Sequence, residues 1–260
     1  MTSLRAIWSV FEFEFRRTLT WQRLAFVVVL SLLPVIMVSV VQYQGAHLER
    51  NMHGEIALFI LIPEVVCLMG LLFWATPAIH WELEGKTWSY LSVRPAGRSA
   101  ILLGKYFAAV AWAVLCGWLS LLLCLAALAG DLAIGRALTT LGPLIAISCL
   151  VYGALYIFLS VMFLQRAMVA AVAYTALMEV VIAWIPATIN QFSMHYHLRC
   201  VMAQWIGFDP GRVGEGAVLI FTSSWAPWQH LLTLSALALV LLTAAIAVLL
   251  QRQLVVAGDS

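Results

Sequence analysis

Charge is what this sequence has least of. Only 10% of its 260 residues are Asp, Glu, Lys or Arg, while 64% are hydrophobic, and the mean hydropathy is +1.00. A soluble globular domain is about a quarter charged and roughly half apolar, so water cannot be the solvent for this surface and lipid must be. Apolar runs of about 20 residues use up most of the chain, which excludes a sizeable soluble domain. An even, loop-borne cysteine set is also missing: Cys67, Cys116, Cys124 and Cys149 lie in apolar runs and only Cys200 in a polar segment. That excludes a disulfide framework and leaves small buried thiols. No stretch reads G-x-x-x-x-G-K-[ST]; Gly85-Lys86-Thr87 supplies its last three letters without the upstream glycine or a strand, so the chain is not expected to hydrolyse ATP itself. H-E-x-x-H and G-x-S-x-G are absent as well. There is no internal repeat, and no low-complexity linker beyond the Ala/Leu-rich last apolar run.

What is present is a series of apolar windows long enough to cross a hydrocarbon layer of about 30 Å. They fall near 22–42, 56–79, 101–129, 138–164, 167–188 and 229–250, which predicts an all-α integral membrane protein with six spans in a single transmembrane domain, 1–260. Six spans put both termini on one side. The basic residues then sort as Arg5, Arg16, Arg17, Arg23, Lys86, Arg94, Arg98, Lys105, Arg166 and Arg252 on that side, against Arg50, Arg136, Arg199 and Arg212 on the other. The positive-inside rule makes the first side cytoplasmic, so the expected location is a cell (inner or plasma) membrane, multi-pass, with both ends in the cytosol.

The leading segment, within 1–20, places Leu4, Ile7, Trp8, Phe11 and Phe15 on one helical stripe and Arg5, Ser9, Glu12 and Arg16 opposite. An interfacial helix along the inner surface is expected, with Glu12 and Arg16 as an i,i+4 pair. The alternating Phe-Glu-Phe-Glu-Phe would also suit a strand, but a lone strand has no partner for its backbone groups. This charged amphipathic lead, with no small-residue cleavage site after the first apolar run, argues against a cleaved signal peptide. The segment 189–228 falls on the outer side; its breakers and apolar pieces predict short re-entrant or interfacial helices.

Between the second and third spans, 80–108 reads HWELEGKTWSYLSVRPAGRSAILLGKYFA. A helical continuation through His80–Gly85, a short helix through Thr87–Val93 and a stop before Pro95 are expected. At these residues the sequence resembles the membrane subunits of ATP-binding-cassette exporters of the type-2 class. The resemblance is carried by Glu82 and Glu84, Gly85 and Thr87, Tyr90 and Leu91, Arg94-Pro95, Arg98, and the return through Leu102-Leu103-Gly104-Lys105. It extends to the plan of a leading amphipathic helix, six spans and a broken outer segment before the last. The loop departs from the usual pattern at Lys86, between the usual Gly and Thr, and at Trp88.

The resemblance implies a cytosolic coupling helix in 80–100 that docks on separate ATPase subunits. It also implies a dimer, of this chain or with a related permease, that forms one translocation pathway. ATP and Mg would sit on the partner ATPase, so no cofactor is expected in this chain, no nucleic-acid partner, and no enzyme site of its own in an assembled ATP-hydrolysing translocase. An ordinary charged loop held at the headgroups is the other reading of these residues.

Glu64 and Glu179 lie near the middles of the second and fifth spans, with no basic residue at matching depth in either helix. At about 2.5–3.5 kcal/mol each on insertion scales, they should face the bundle interior or a watery cavity, and without a cation they could sit protonated. They either line a translocation route, as the second and fifth spans do in the resembled class, or make structural hydrogen bonds. An ion-coupled carrier, or a membrane-embedded enzyme using these two carboxyls, are the alternatives from other classes. His195 and His197 with Cys200, Met194 and Met202 are suitable metal-ligand types, but H-x-H plus one thiol lacks a second defined pair, and an outer loop with interfacial aromatics is expected instead. Trp21, Trp74, Trp81, Trp88, Trp205, Trp225 and Trp228 are expected as an aromatic belt. Pro34, Pro63 and Pro143 should free carbonyls that neighbours must satisfy.

Overall fold

The computed structural model describes residues 2–43, 52–80, 97–128, 134–185, 188–208, 221 and 223–251. Among them every regular element is a helix: α1 (Thr2–Arg17), α2 (Trp21–Tyr43), α3 (Met52–Phe59), α4 (Cys67–Ala75), α5 (Gly97–Ala127), α6 (Ile134–Met162), α7 (Ala167–Tyr174), α8 (Met194–Ile206) and α9 (Pro227–Gln251). A π-helical turn, Ile60–Val66, joins α3 to α4, and another, Thr175–Val181, extends α7 into the 3-10 turn Ile182–Trp184. Five helical stretches are long and apolar enough to cross a membrane: Trp21–Val41, Gly54–Ala75, Gly97–Ala127, Ile134–Met162 and Pro227–Gln251. These are the helices of a multi-pass membrane protein. The stretch expected as the fifth of six spans is shorter, Ala167–Val181, because its helix changes winding at Thr175 and leaves helical geometry at Ile185.

Helices α5 and α6 form the centre. α5 packs against α1, α2, α4 and α6, while α6 is flanked by α4, α7, α8 and α9. The α2–α5 contact uses small polar knobs: Ser31 Oγ donates to the Cys116 carbonyl at 3.2 Å and Ser120 Oγ to the Ser31 carbonyl at 3.2 Å. Such residues let backbones approach where lipid supplies no hydrophobic drive between helices. α2 and α9 sit outermost; only 17% of the apolar window of α9 is buried, and Leu232, Leu239, Val240 and Leu250 point outward.

The leading segment is helical, not a strand. Its apolar stripe is split, however. Ile7, Phe11 and Phe15 are partly buried, with Phe15 stacked on Trp112 at 5.0 Å, but Leu4 and Trp8 stay exposed. The reason is that α1 docks on α5 through a polar contact: Lys105 Nζ donates to Glu14 Oε1 at 2.9 Å, both groups being buried. Trp112 Nε1 adds a bond to Thr18 Oγ1 at 2.7 Å. Trp74 is likewise a core residue and not part of a belt, packed edge-on against Phe26 and beside Trp112. Trp21, Trp225 and Trp228 are exposed as expected, whereas Trp205 is partly buried against the core. Trp81 and Trp88 lie outside the described residues.

Gly104 is what permits the α1–α5 approach. A Cβ there would fall 2.5 Å from Val10 Cγ1, 2.7 Å from Val10 Cβ and 3.1 Å from the Phe11 amide nitrogen. Replacing a mid-helix glycine gains up to about 1 kcal/mol of helix propensity, but overpacking costs about 1–3 kcal/mol, and Val10 Cβ cannot swing away. Gly104→Val is therefore expected to lower the melting temperature of the purified protein and to expose α1 to limited proteolysis. An unchanged melting curve would show that α1 is not held by this contact.

Candidate functional site

Glu64 and Glu179 are brought together at the middle of the bundle by α8, a helix from the segment expected outside. α8 begins at an N-cap, Ser193, whose hydroxyl accepts from the His195 amide, and ends at Gly207 in the left-handed region with φ 69°. The closing turn is tied by the Phe208 amide donating to the Ala203 carbonyl at 2.8 Å, the pattern that lets glycine satisfy end carbonyls. Between these caps nearly every side chain is buried, so the expected re-entrant piece is a core element.

Arg199, one turn along α8 from His195, is 0% exposed. Its Nε donates to Glu64 Oε1 at 2.7 Å, its Nη2 to Glu64 Oε2 at 3.1 Å and its Nη1 to the Ala183 carbonyl at 3.0 Å. This corrects the expectation that the carboxyls lack a cation: none lies in their own helices, but one arrives from a third element 135 residues along the chain. The fork geometry suits a guanidinium, which matches a carboxylate with two parallel bonds.

Glu179 stands at the N-terminus of α8. Its Oε2 accepts from Tyr152 Oη at 2.9 Å, Ser193 Oγ at 2.8 Å, the His195 amide at 3.2 Å and His195 Nδ1 at 2.6 Å. Tyr174 Oη reaches Oε1 at 3.5 Å. A carboxylate against the first turn of a helix meets unpaired amides and the positive end of its dipole. His195 bridges the two acids: its Nε2 lies 3.7 Å from Glu64 Oε1 and has no hydrogen-bond partner. That distance is too long for a bond.

Both acids sit on π-helical turns, Ile60–Val66 and Thr175–Val181, and both are followed by Val-Val. Wide turns of this kind are rare and concentrate at functional positions. Pro63, which cannot donate an amide, lies in the first of them, and its own carbonyl accepts from Ser148 Oγ at 3.3 Å. The sequence marked the two acids and the proline. It gave no sign of the wide turns, of Arg199 as partner, or of Tyr152 and Ser193 as donors; Ser193 ahead of an apolar run was the one available signal, as a helix N-cap.

The other nominated residues do not join this network. His197 Nδ1 lies 2.8 Å from His230 Nδ1 in α9, inside a ring formed with Tyr196 and Trp225. Burial, with His230 beside it, pushes the His197 imidazole down to about 4. His195, His197 and Cys200 thus face different neighbours, and among the described residues no three His, Cys, Asp or Glu side chains are gathered to hold a metal ion. Of the loop residues, Glu82, Glu84, Gly85, Thr87, Tyr90, Leu91, Arg94 and Pro95 lie outside the described residues. Arg98, in the first turn of α5, donates from Nη1 to the Leu250 carbonyl of α9 at 3.4 Å.

No family model matches the chain, and no curated protein matches it.

Removing one partner of a buried ion pair costs about 3–5 kcal/mol, because the other charge is stranded, whereas replacing both is close to neutral. Arg199→Met and Glu64→Gln are each expected to destabilise the protein by that order, and the double variant to recover most of the loss in a double-mutant cycle. Additive losses would show that the two side chains do not pair.

Proposed function

We propose that the chain is the membrane-spanning subunit of an ATP-driven exporter of the type-2 ATP-binding-cassette class, forming half of a translocation pathway. In this reading it has six spans, with Ala167–Val181 as part of the fifth, an interfacial leading helix, both termini in the cytoplasm and the outer segment folded back as α8. It pairs with itself or a related permease and takes its energy from separate ATPase subunits that hold ATP and Mg. The 80–100 loop is the coupling element.

The observation that carries the reading is that α8 bolts three partners into one body. Arg199 holds Glu64, Ser193 and His195 hold Glu179, and His197 meets His230 of α9. Packed helices move as units, so a displacement of the second span would carry α7 and α9 with it. The contacts at the start of α5 support a coupling role for the loop that precedes it: Arg98 bonds the last turn of α9 and Lys105 bonds α1. Mid-depth acids on wide turns support their role in the route.

One observation favours a second reading. An imidazole between two carboxylates is a proton-holding arrangement, which an ion-coupled carrier needs.

Isolation from native membranes tests the first reading. An ATPase is expected to stay bound to wild type and to be lost when 82–95 is scrambled; Glu179→Gln should leave that assembly intact and abolish ATP-dependent transport. Transport that survives ATP depletion and collapses with the proton gradient would transfer the assignment to the carrier.

A further inference from the structure

One buried polar contact outside the acid network joins α9 to α8. His197 Nδ1 meets His230 Nδ1 at 2.8 Å, and the two residues are 7% and 0% exposed. A hydrogen bond between two imidazole nitrogens contains one proton, so one ring donates through Nδ1 and the other accepts there. His230 Nε2 decides which. It is buried and has no hydrogen-bond partner, and an orphaned N–H is rarer in a protein interior than a bare acceptor. His230 therefore carries its proton on Nδ1 and donates, and His197 Nδ1 accepts.

Each ring then has one lone pair left for a further proton, and both are poor places for it. At His197 Nδ1 the new proton would set N–H against N–H across 2.8 Å. At His230 Nε2 it would make a buried charge with no acceptor.

The neighbours do not offset that cost. Tyr196 lies edge-on to both rings and the half-exposed Trp225 is tilted over them. In α8, Arg199 bonds Glu64, His195 is engaged by Glu179, and Cys200 is a buried free thiol. In α6, Tyr152 bonds Glu179, Tyr156 meets Thr175, Arg136 bonds Glu55 of α3, and Cys149 is another buried thiol. In α5, Arg98 reaches the far end of α9, Lys105 bonds Glu14, Tyr106 bonds the Leu150 carbonyl, and Cys116 and Cys124 are buried thiols. α9 has no titratable side chain besides His230, and the 3-10 turn Thr188–Phe192 against α8 has none. Among the described residues no carboxylate forms an ion pair with either ring of the pair. The fall of the His197 imidazole to about 4 agrees with this geometry.

The consequence falls on α9. Of the five apolar helices it is the least buried, so a polar joint near its first turn weighs in how that end is seated.

We propose that the His197–His230 pair is a pH-sensitive latch between α8 and α9, closed while both imidazoles are neutral and opened by a single added proton. It is independent of what energises the chain. An imidazole that stays neutral in the closed state stabilises it fully above its ordinary value of about 6.5. That contribution is lost as the pH falls from there toward about 4.

Full-length protein in neutral detergent is followed by amide hydrogen exchange from about pH 7.5 to about pH 4.5, a range that brackets the ordinary imidazole value. Each rate is taken relative to the unfolded peptide at the same pH. Protection in the first turns of α9 is expected to fall about tenfold or more in wild type. His197→Asn with His230→Asn keeps a donor and an acceptor that do not titrate, and should hold its protection constant over the range. Constant protection in wild type, or equal falls in both proteins, overturns the latch. If the double variant fails to fold, the imidazole nitrogen resonances of wild type decide. His197 and His230 must leave the neutral, proton-sharing state over the pH range in which α9 loses protection; a shared proton that outlasts that loss overturns the proposal.

Discussion

A charge inside a hydrocarbon slab must find an opposite charge or a set of donors, and in this molecule that requirement shapes the core. Glu64 and Glu179 cannot face lipid, and the helices that carry them hold no cation. The partner is Arg199, and bringing it in places a whole helix, α8, inside the bundle. α8 has what that entry needs: a serine cap, a left-handed glycine at its far end and apolar side chains between. Its backbone ends are satisfied internally, the condition for any irregular segment at membrane depth. Arg199 then cannot retreat without stranding Glu64, nor Ser193 and His195 without stranding Glu179. The pairing that solves the charge problem also locks three helices to one another.

The wide turns belong to the same solution. A π-helical turn changes the direction in which successive side chains leave the helix, so an acid there is re-aimed relative to the rest of its span. In Ile60–Val66 the change coincides with Pro63, which has no amide to give to the ladder. In Thr175–Val181 no proline explains it; there the Thr175 hydroxyl turns back to the Ala171 carbonyl at 2.8 Å and meets Tyr156 Oη at 2.7 Å. Two different local settings give the same result, an acid directed at α8, Glu179 at its first turn and Glu64 at Arg199.

Much of the architecture was legible from composition. Helix after helix lies within a few residues of its apolar window, since span length follows bilayer thickness, and both acids were singled out because an isolated charge in an apolar run is conspicuous. The pairing was hidden. Arg199 sits in MHYHLRCVMAQWI, whose histidines and arginine lower its hydropathy, so the segment reads as an outer loop, and a long-range partner cannot be found by a local window. The split stripe of α1 was hidden for a related reason. Periodicity predicted an amphipathic helix, but not that Glu14 would be drawn to Lys105, while Leu4 and Trp8 stay outside. In both places a specific buried ion pair overruled an average over side chains.

The two pairs differ in what they can transmit. Glu14 and Lys105 join a leading helix to the first turns of α5, near the end of the bundle where the 80–100 loop returns, and their loss would loosen one surface element. Arg199 and Glu64 sit where α8 reaches the second span, and His195 beside them carries a nitrogen 3.7 Å from Glu64 with no bond made. That gap is the one slack point in an otherwise satisfied cluster. The two acids face different ring nitrogens: Nδ1 is engaged by Glu179 at 2.6 Å, while Nε2 only faces Glu64. Arg199 therefore ties α8 to the second span, while Ser193 and His195 tie it to the segment that carries Glu179.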